Sequence, residues 1–230
     1  MIVVIGGTSG IGLETAIYIK NLGYKVVVCG RKKPNKKNLK YQLLDVSNES
    51  HIKSFFRKLN GPLNGIVYAA GITLKKKPIT SFSSKLFDQI MKTNATGLLL
   101  CLKYSYKKLA KSKGKIVVVN SLASRISSKY SGVEYTMSKS ALSGLVRQLA
   151  IDFAKDKVLI NSVLPGMVKT PMLMKNNNKT KINKMAREIP LKRIGNPLEV
   201  SKAIAFLLLN DNTYMTGCSI DINGGQYING

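Results

Sequence analysis

A tyrosine and a lysine stand four residues apart in Glu134-Tyr135-Thr136-Met137-Ser138-Lys139, at the start of a stretch with helical spacing. On a helix that separation puts both side chains on one face. A phenol is a poor acid or base near neutrality, and a neighbouring ammonium favours its phenolate and lowers its pKa. The pair is therefore suited to passing a proton to or from an oxygen atom. Taken alone, Tyr-x-x-x-Lys is as readily a solvated helix face, so the elements around it must decide.

A second chemical feature lies at the start of the chain. Gly6-Gly7-Thr8-Ser9-Gly10-Ile11-Gly12 follows the apolar run Met1-Ile2-Val3-Val4-Ile5 and precedes a helical pattern. Glycines let backbone approach a pyrophosphate, and the helix N-terminus attracts its charge. The strand–loop–helix context favours dinucleotide binding over a plain tight turn. Met1 leads straight into this strand with no basic leader region, so it reads as structure and not as a signal peptide.

Residues 2–5, 25–29, 40–44, 65–69, 115–119, 158–163 and 219–222 have the short β-branched character of strands. Helical patterns cover 11–22, 48–59, 83–91, 95–110 and 133–154. A further helix starts at Asn196-Pro197-Leu198-Glu199, with Asn as cap, Pro in the first turn and Glu three residues after the cap. Val200, Ala203, Ile204, Leu207 and Leu208 mark its apolar face. This alternation predicts an α/β fold with a parallel sheet covered by helices on both faces. No linker divides it, so residues 1–230 form one domain.

Composition agrees with that reading. The chain has 230 residues and is 44% hydrophobic, with mean hydropathy near zero. Its apolar runs are too short to span a bilayer. Cys29, Cys101 and Cys218 are far apart in apolar segments, which predicts buried thiols in a reducing, cytoplasmic setting. His51 is the single histidine, and no metal-ligand spacing surrounds it, so no catalytic metal is expected. The formal charge is +26. Lysines are scattered along the chain, with clusters at 31–40, 75–77 and 103–115, and the reading preferred is a solvated surface. No nucleic-acid motif or aromatic platform accompanies them.

With the loop and the Tyr/Lys pair placed, the chain resembles the short-chain dehydrogenase/reductase family over nearly its whole length. The family's Thr-Gly-x-x-x-Gly-x-Gly corresponds to Ile5-Gly6-Gly7-Thr8-Ser9-Gly10-Ile11-Gly12, with Ile in place of Thr. Asp45 in Leu44-Asp45-Val46 matches the acid at the adenine. Tyr68-Ala69-Ala70-Gly71 stands where the family has Asn-Asn-Ala-Gly, an exchange expected to leave an apolar Ile5/Tyr68 contact in place of a polar one. Asn94 matches the helix asparagine of the proton relay, and Ser121 the catalytic serine after the fifth strand. Ser124 and Ser127 are alternatives, but Ser121 fits best directly after Val119-Asn120. The segment Asn161-Ser162-Val163-Leu164-Pro165-Gly166-Met167-Val168-Lys169-Thr170 matches the Pro-Gly segment that covers the nicotinamide. Ile189-Pro190-Leu191-Lys192-Arg193-Ile194-Gly195, Thr216-Gly217 and Asp221-Ile222-Asn223-Gly224-Gly225 match C-terminal signatures.

The resemblance implies a Rossmann-type doubly wound sheet and reversible hydride transfer between a nicotinamide and a carbonyl/alcohol pair. It makes Tyr135 the proton donor in reduction, Lys139 the partner of its phenolate and of the ribose, and Ser121 the holder of the substrate oxygen. Asn94 would hold a water linking Lys139 to solvent. Cofactor contacts would come from Gly6, Thr8, Ser9, Gly10, Ile11, Gly12, Asp45, Val46, Ala70, Gly71, Tyr135, Lys139, Pro165, Gly166, Val168 and Thr170. After the second strand, Cys29-Gly30-Arg31-Lys32-Lys33 carries no acid for a ribose 2′-hydroxyl. Arg31 and Lys32 instead offer charge to a 2′-phosphate, so NADP is expected over NAD.

The C-terminal signatures and compact length look most like 3-oxoacyl-[acyl-carrier-protein] reductases of fatty acid synthesis. Such carriers are acidic, and Lys111, Lys113, Lys155 and Lys157 are candidate contacts. Met167, Met172, Met174 and Met185 cluster near the expected substrate flap and suggest an apolar lid. In the resembling enzymes the helices near 95–110 and 133–154 pair between subunits, which implies a homotetramer. Related sequences reduce sugars, steroids and small ketones. A non-catalytic cofactor-binding protein on this fold, or a charge-driven nucleic-acid binder, are the alternatives of other classes.

Overall fold

Seven parallel strands form one sheet in the order β3-β2-β1-β4-β5-β6-β7 in this computed structural model, which describes residues 1–36, 38–175, 177–209 and 212–228. The strands are β1 Ile2–Ile5, β2 Val26–Gly30, β3 Lys40–Leu43, β4 Gly65–Tyr68, β5 Lys115–Val119, β6 Leu159–Pro165 and β7 Ser219–Ile222. The helices are α1 Gly10–Asn21, α2 Glu49–Lys58, α3 Ser84–Met91, α4 Gly97–Ser112, α5 Val133–Ala154, α6 Pro171–Lys175, α7 Lys179–Glu188 and α8 Pro197–Leu208. Among the described residues no helix is long and apolar enough to cross a membrane.

The central strands β1 and β2 are apolar because both of their faces are covered, whereas β6 buries Asn161 and Ser162 with hydrogen-bond partners around β7. Successive side chains of β1 alternate between two cores. Ile2 and Val4 pack with Ala16 and Ile19 of α1 and Val200 and Ile204 of α8. Val3 and Ile5 pack on the other face with Ile52 of α2, Leu98 and Leu102 of α4, and Leu142 and Val146 of α5. The chain reverses its direction of growth between β1 and β4, which are neighbours in the sheet. At such a point the loops leaving the strands diverge and open a crevice at the carboxyl ends.

The expected strands and helices are present, with ends displaced by a residue or two. Three features depart from the sequence reading. The helix expected from residue 95 begins instead as a π-turn, Lys92–Thr96, before α4 proper. Two short helices, α6 and α7, occupy a lysine- and asparagine-rich stretch that offered little periodicity. The Ile5/Tyr68 pair is in register across β1 and β4, but Tyr68 also makes a polar bond.

The cap of α8 is as the sequence predicts. Asn196 Oδ1 accepts from the Leu198 amide at 3.0 Å, and Glu199 Oε2 accepts from the Asn196 amide at 2.7 Å. Asn196→Ala is expected to cost about 1 kcal/mol and lower Tm by about 2–4 °C for a domain this size. Thermal unfolding checks this, and an unchanged Tm contradicts it.

Candidate active site

The cavity at the carboxyl ends of the strands measures about 640 Å³. Its floor is built by the loops after β1, β4, β5 and β6. Ser121 leaves the sheet two residues beyond β5, and its Oγ accepts from the Ala123 amide at 3.1 Å, fixing the turn. Tyr135 and Lys139 enter from the first two turns of α5, and the Tyr135 phenol lines the cavity together with Ser121, whose hydroxyl acts on it. Lys139 is 4% exposed, and its Nζ donates to the Val119 carbonyl at 2.9 Å. That ammonium lies 5.7 Å from the centre of the Tyr135 ring.

Burial governs both titrations. It penalises the charged lysine and draws Lys139 down to about 8. It also pushes the Tyr135 phenol up, with the Ser121 hydrogen bond acting in the opposite direction. This corrects the expectation that the ammonium would lower Tyr135. Desolvation of the phenolate is the larger effect here, and the lysine is aimed at a carbonyl. Tyr135 is thus held as a neutral phenol, the form that can give a proton away.

Asn94 stands in the π-turn and is fully buried. Its Nδ2 donates to the Ile72 carbonyl at 2.9 Å and to Ser138 Oγ at 3.0 Å, while Oδ1 accepts from the Ile72 amide at 2.8 Å. The side chain therefore ties the loop after β4 to the residue beside Lys139. Both Nδ2 hydrogens are committed to protein partners, while Oδ1 keeps a second lone pair. A Cβ at Gly71 would lie 3.6 Å from Asn94 Oδ1 and 3.9 Å from Lys139 Nζ, so both face this glycine.

The residues present fit a dinucleotide. Gly6 has φ +79°, and a Cβ there would come within 2.7 Å of Ala70 Cα, so the β1 and β4 loops meet closely only because Gly6 is glycine. The N-cap residue Ser9 makes no side-chain cap hydrogen bond, which leaves the first amides of α1 free of a side-chain acceptor. Gly6, Ser9, Gly10, Ile11, Gly12, Gly71, Tyr135, Lys139, Pro165, Gly166, Val168 and Thr170 all line the cavity. Thr8, Arg31, Lys32, Asp45, Val46 and Ala70 do not. Thr8 packs against Gly30, where a Cβ would lie 2.8 Å from its Cγ2. Val46 is buried. Arg31 and Lys32 are exposed just past β2. Burial alone would raise Asp45, but hydrogen bonds from the Ser47 hydroxyl and amide, then the Arg31 charge, hold its carboxyl below the usual value.

The outer half of the cavity was not legible beforehand. It is walled by Thr73 to Lys76, by Ile126 to Ser131 and by residues of α6 and α7. Glu188 accepts from Tyr130 at 2.8 Å and from Lys129 at 3.1 Å, fastening α7 to the loop before α5. Met167, Met172 and Met185 line the cavity, whereas Met174 is exposed and does not. Lys111 and Lys113 end α4, and Lys155 and Lys157 follow α5. All four sit by the starts of β5 and β6, the opposite end of the sheet from the site.

Comparison with known proteins points the same way. A family model described as Enoyl-(Acyl carrier protein) reductase matches residues 6–226. A tropinone reductase homolog of Arabidopsis thaliana is 32% identical over 244 residues, covering 99% of this chain and 75% of that protein. The 3-oxoacyl-[acyl-carrier-protein] reductase FabG of Buchnera aphidicola subsp. Schizaphis graminum is 30% identical over 237 residues, covering 98% and 96%. The structure of ElxO with NADP bound superposes with a TM-score of 0.90 at 29% identity, covering 98% of this chain and 97% of that one.

Two tests follow from the site. Tyr135→Phe removes only the proton donor, so fold and dinucleotide binding are expected to persist while kcat falls by about 100-fold or more. Steady-state kinetics beside cofactor titration checks this, and an unchanged kcat excludes Tyr135 as the acid. For Lys139, the folded pKa of about 8 lies below the unfolded value of about 10.4. The unfolded chain then binds more protons across that window, so this lysine makes stability rise with pH there, by up to about 3 kcal/mol. Urea unfolding between pH 8 and 10.5 should show the rise in wild type relative to Lys139→Met. Parallel pH profiles for the two proteins contradict it.

Proposed function

We propose a function from one premise: the chain belongs to the short-chain dehydrogenase/reductase family. It acts as an NADP-dependent reductase of a carbonyl group, with a 3-oxoacyl thioester on an acyl carrier as the substrate. The observation that carries the chemistry is the Tyr135 phenol lining one cavity with Ser121, with the buried Lys139 ammonium behind it.

A nicotinamide dinucleotide, when bound, supplies the hydride. As the carbonyl carbon accepts that hydride, its oxygen gains negative charge and must receive a proton. Tyr135 gives the proton from its hydroxyl, and Ser121 holds the same oxygen with a second hydroxyl. The carbonyl becomes an alcohol and Tyr135 is left as phenolate. Lys139 stabilises that phenolate while its own proton remains, which favours reduction below about pH 8. Val119 and Asn94 keep the lysine and its neighbour in place throughout.

NADP is supported by the absence of an acid after β2 and by the exposed Arg31 and Lys32 at that corner. The carrier-bound substrate is supported by the FabG relative and by the cavity lining, where Lys75, Lys76, Lys129 and Lys181 outnumber the single carboxylate, Glu188, which is paired with Lys129. That lining, in place of the lysines at the far end of the sheet, suits an acidic carrier or the phosphate of its arm. A homotetramer is supported by a largely apolar groove on α4 and α5, lined by Leu99, Leu102, Lys103, Tyr106, Leu149 and Phe153. The buried thiols of Cys29 and Cys101 suit the cytoplasm.

Parallel NADPH oxidation with an acyl-carrier thioester, a small thioester, sugar ketones and small cyclic ketones tests the reading. The carrier-bound thioester is expected to give the highest kcat/KM. Higher values with a sugar or a small ketone overturn that substrate, and no turnover with any of them overturns the reductase. Arg31→Asp should weaken NADPH and raise the relative kcat/KM for NADH, and an unchanged preference rejects that contact. Lys75→Glu with Lys76→Glu should raise KM about tenfold for the carrier-bound substrate alone, less at high salt. Equal losses on the small thioester leave these lysines outside carrier recognition.

A further inference from the structure

β4 ends on Tyr68, which is wholly buried beside Ile5 of β1. Its hydroxyl donates to the Thr93 carbonyl at 2.6 Å, across 25 residues of chain. Thr93 is the second residue of the π-turn Lys92–Thr96 between α3 and α4. A π-turn inserts an extra residue and disturbs the helical hydrogen-bond ladder, and such turns recur at functional sites. Here the displaced backbone receives a side-chain donor. Gly97, at the start of α4, makes the contact sterically feasible, because a Cβ there would stand 2.6 Å from the Tyr68 hydroxyl. Burial pushes the phenol well above its usual pKa, so it remains a donor.

The residue after Thr93 is Asn94. Its three hydrogen bonds reach Ile72 and Ser138, and Ser138 precedes Lys139. We propose that Tyr68 is a positioning residue: its hydroxyl holds the Thr93 carbonyl, fixes the π-turn and so aims Asn94 at the loop and helix that seat Lys139. This rests on the reading of Tyr135 and Lys139 as the proton-transfer pair. The Ile5/Tyr68 exchange is then more than an apolar substitution, since Tyr68 brings a new polar tether from β4 to the turn that carries Asn94. The hydroxyl lies in the packed interior and is absent from the cavity lining, so it acts through Asn94 and not on substrate.

Tyr68→Phe removes one oxygen and keeps the ring. Two measurements on the full chain decide. Amide hydrogen exchange at Ile72, whose N–H is held by Asn94, should quicken about tenfold, with β1 and β5 amides unchanged. The kcat should fall about tenfold, with KM and the NADPH Kd within twofold of wild type. In an Asn94→Ala background the same change should cost no further activity, because the two residues act in series. Unchanged exchange at Ile72, or losses that simply multiply in the double variant, overturn the proposal. If Tyr68→Phe fails to fold, Gly97→Ala crowds the hydroxyl while leaving the residue in place. It should then show the same exchange and kcat changes, and wild-type behaviour in it overturns the proposal. Should the wild-type protein reduce no carbonyl at all, the reductase reading fails, and the exchange measurement still judges the tether.

Discussion

A lysine ammonium buried at the end of a parallel sheet is the constraint from which the rest of the site follows. Charge is costly to hold away from water unless it finds a partner. Lys139 finds the Val119 carbonyl at the point where β5 stops needing it for the sheet. The position of that carbonyl depends on β5 lying between β4 and β6. The reach of the lysine depends on α5 starting at Val133, two residues before Tyr135 has to meet Ser121. A shift in either element would strand the ammonium or separate the two hydroxyls.

Around this point the molecule divides its tasks by rigidity. The floor of the cavity rests on strands whose side chains are almost completely buried, and on glycines chosen for close backbone approach. The outer wall rests on short helices and loops joined by a few polar contacts, such as the Glu188 bonds to Lys129 and Tyr130. Hydride and proton transfer demand fixed geometry, so they belong on the floor. Selection of a substrate tolerates adjustment, so the outer wall is free to differ between relatives that share the floor.

Much of this was legible in the sequence, for physical reasons that differ by element. The inner strands β1, β2, β4 and β5 announced themselves because burial on both faces favours apolar, β-branched residues. The cap of α8 did so because Asn196 and Glu199 are the side chains that satisfy free amides. Tyr135 and Lys139 stand out by their spacing and Ser121 by the family resemblance, and the fold brings the three to one cavity. The π-turn was hidden, since the poor helix formers of Thr93-Asn94-Ala95-Thr96 read as a break between two helices and carry no mark of a continuous helix with one extra residue. The hydroxyl of Tyr68 read as apolar bulk, because its partner is a backbone carbonyl with no sequence signature. Helices α6 and α7 read as loop because only a few apolar residues, Met185 among them, turn inward. The sign of the Tyr135 shift was misjudged by weighing charge before desolvation.

The central claim is that this constellation passes a hydride and a proton to opposite ends of one carbonyl bond. The most direct measurement follows the hydride itself. A 3-oxoacyl thioester is incubated with the protein and NADPH deuterated at the transferring carbon, on each face in turn, and the alcohol is analysed by mass spectrometry. One face should deliver a single deuterium to the former carbonyl carbon, with the new hydroxyl proton drawn from solvent. Oxidised cofactor with no label in the alcohol, or a thioester left unreduced together with every other ketone offered, would contradict the account.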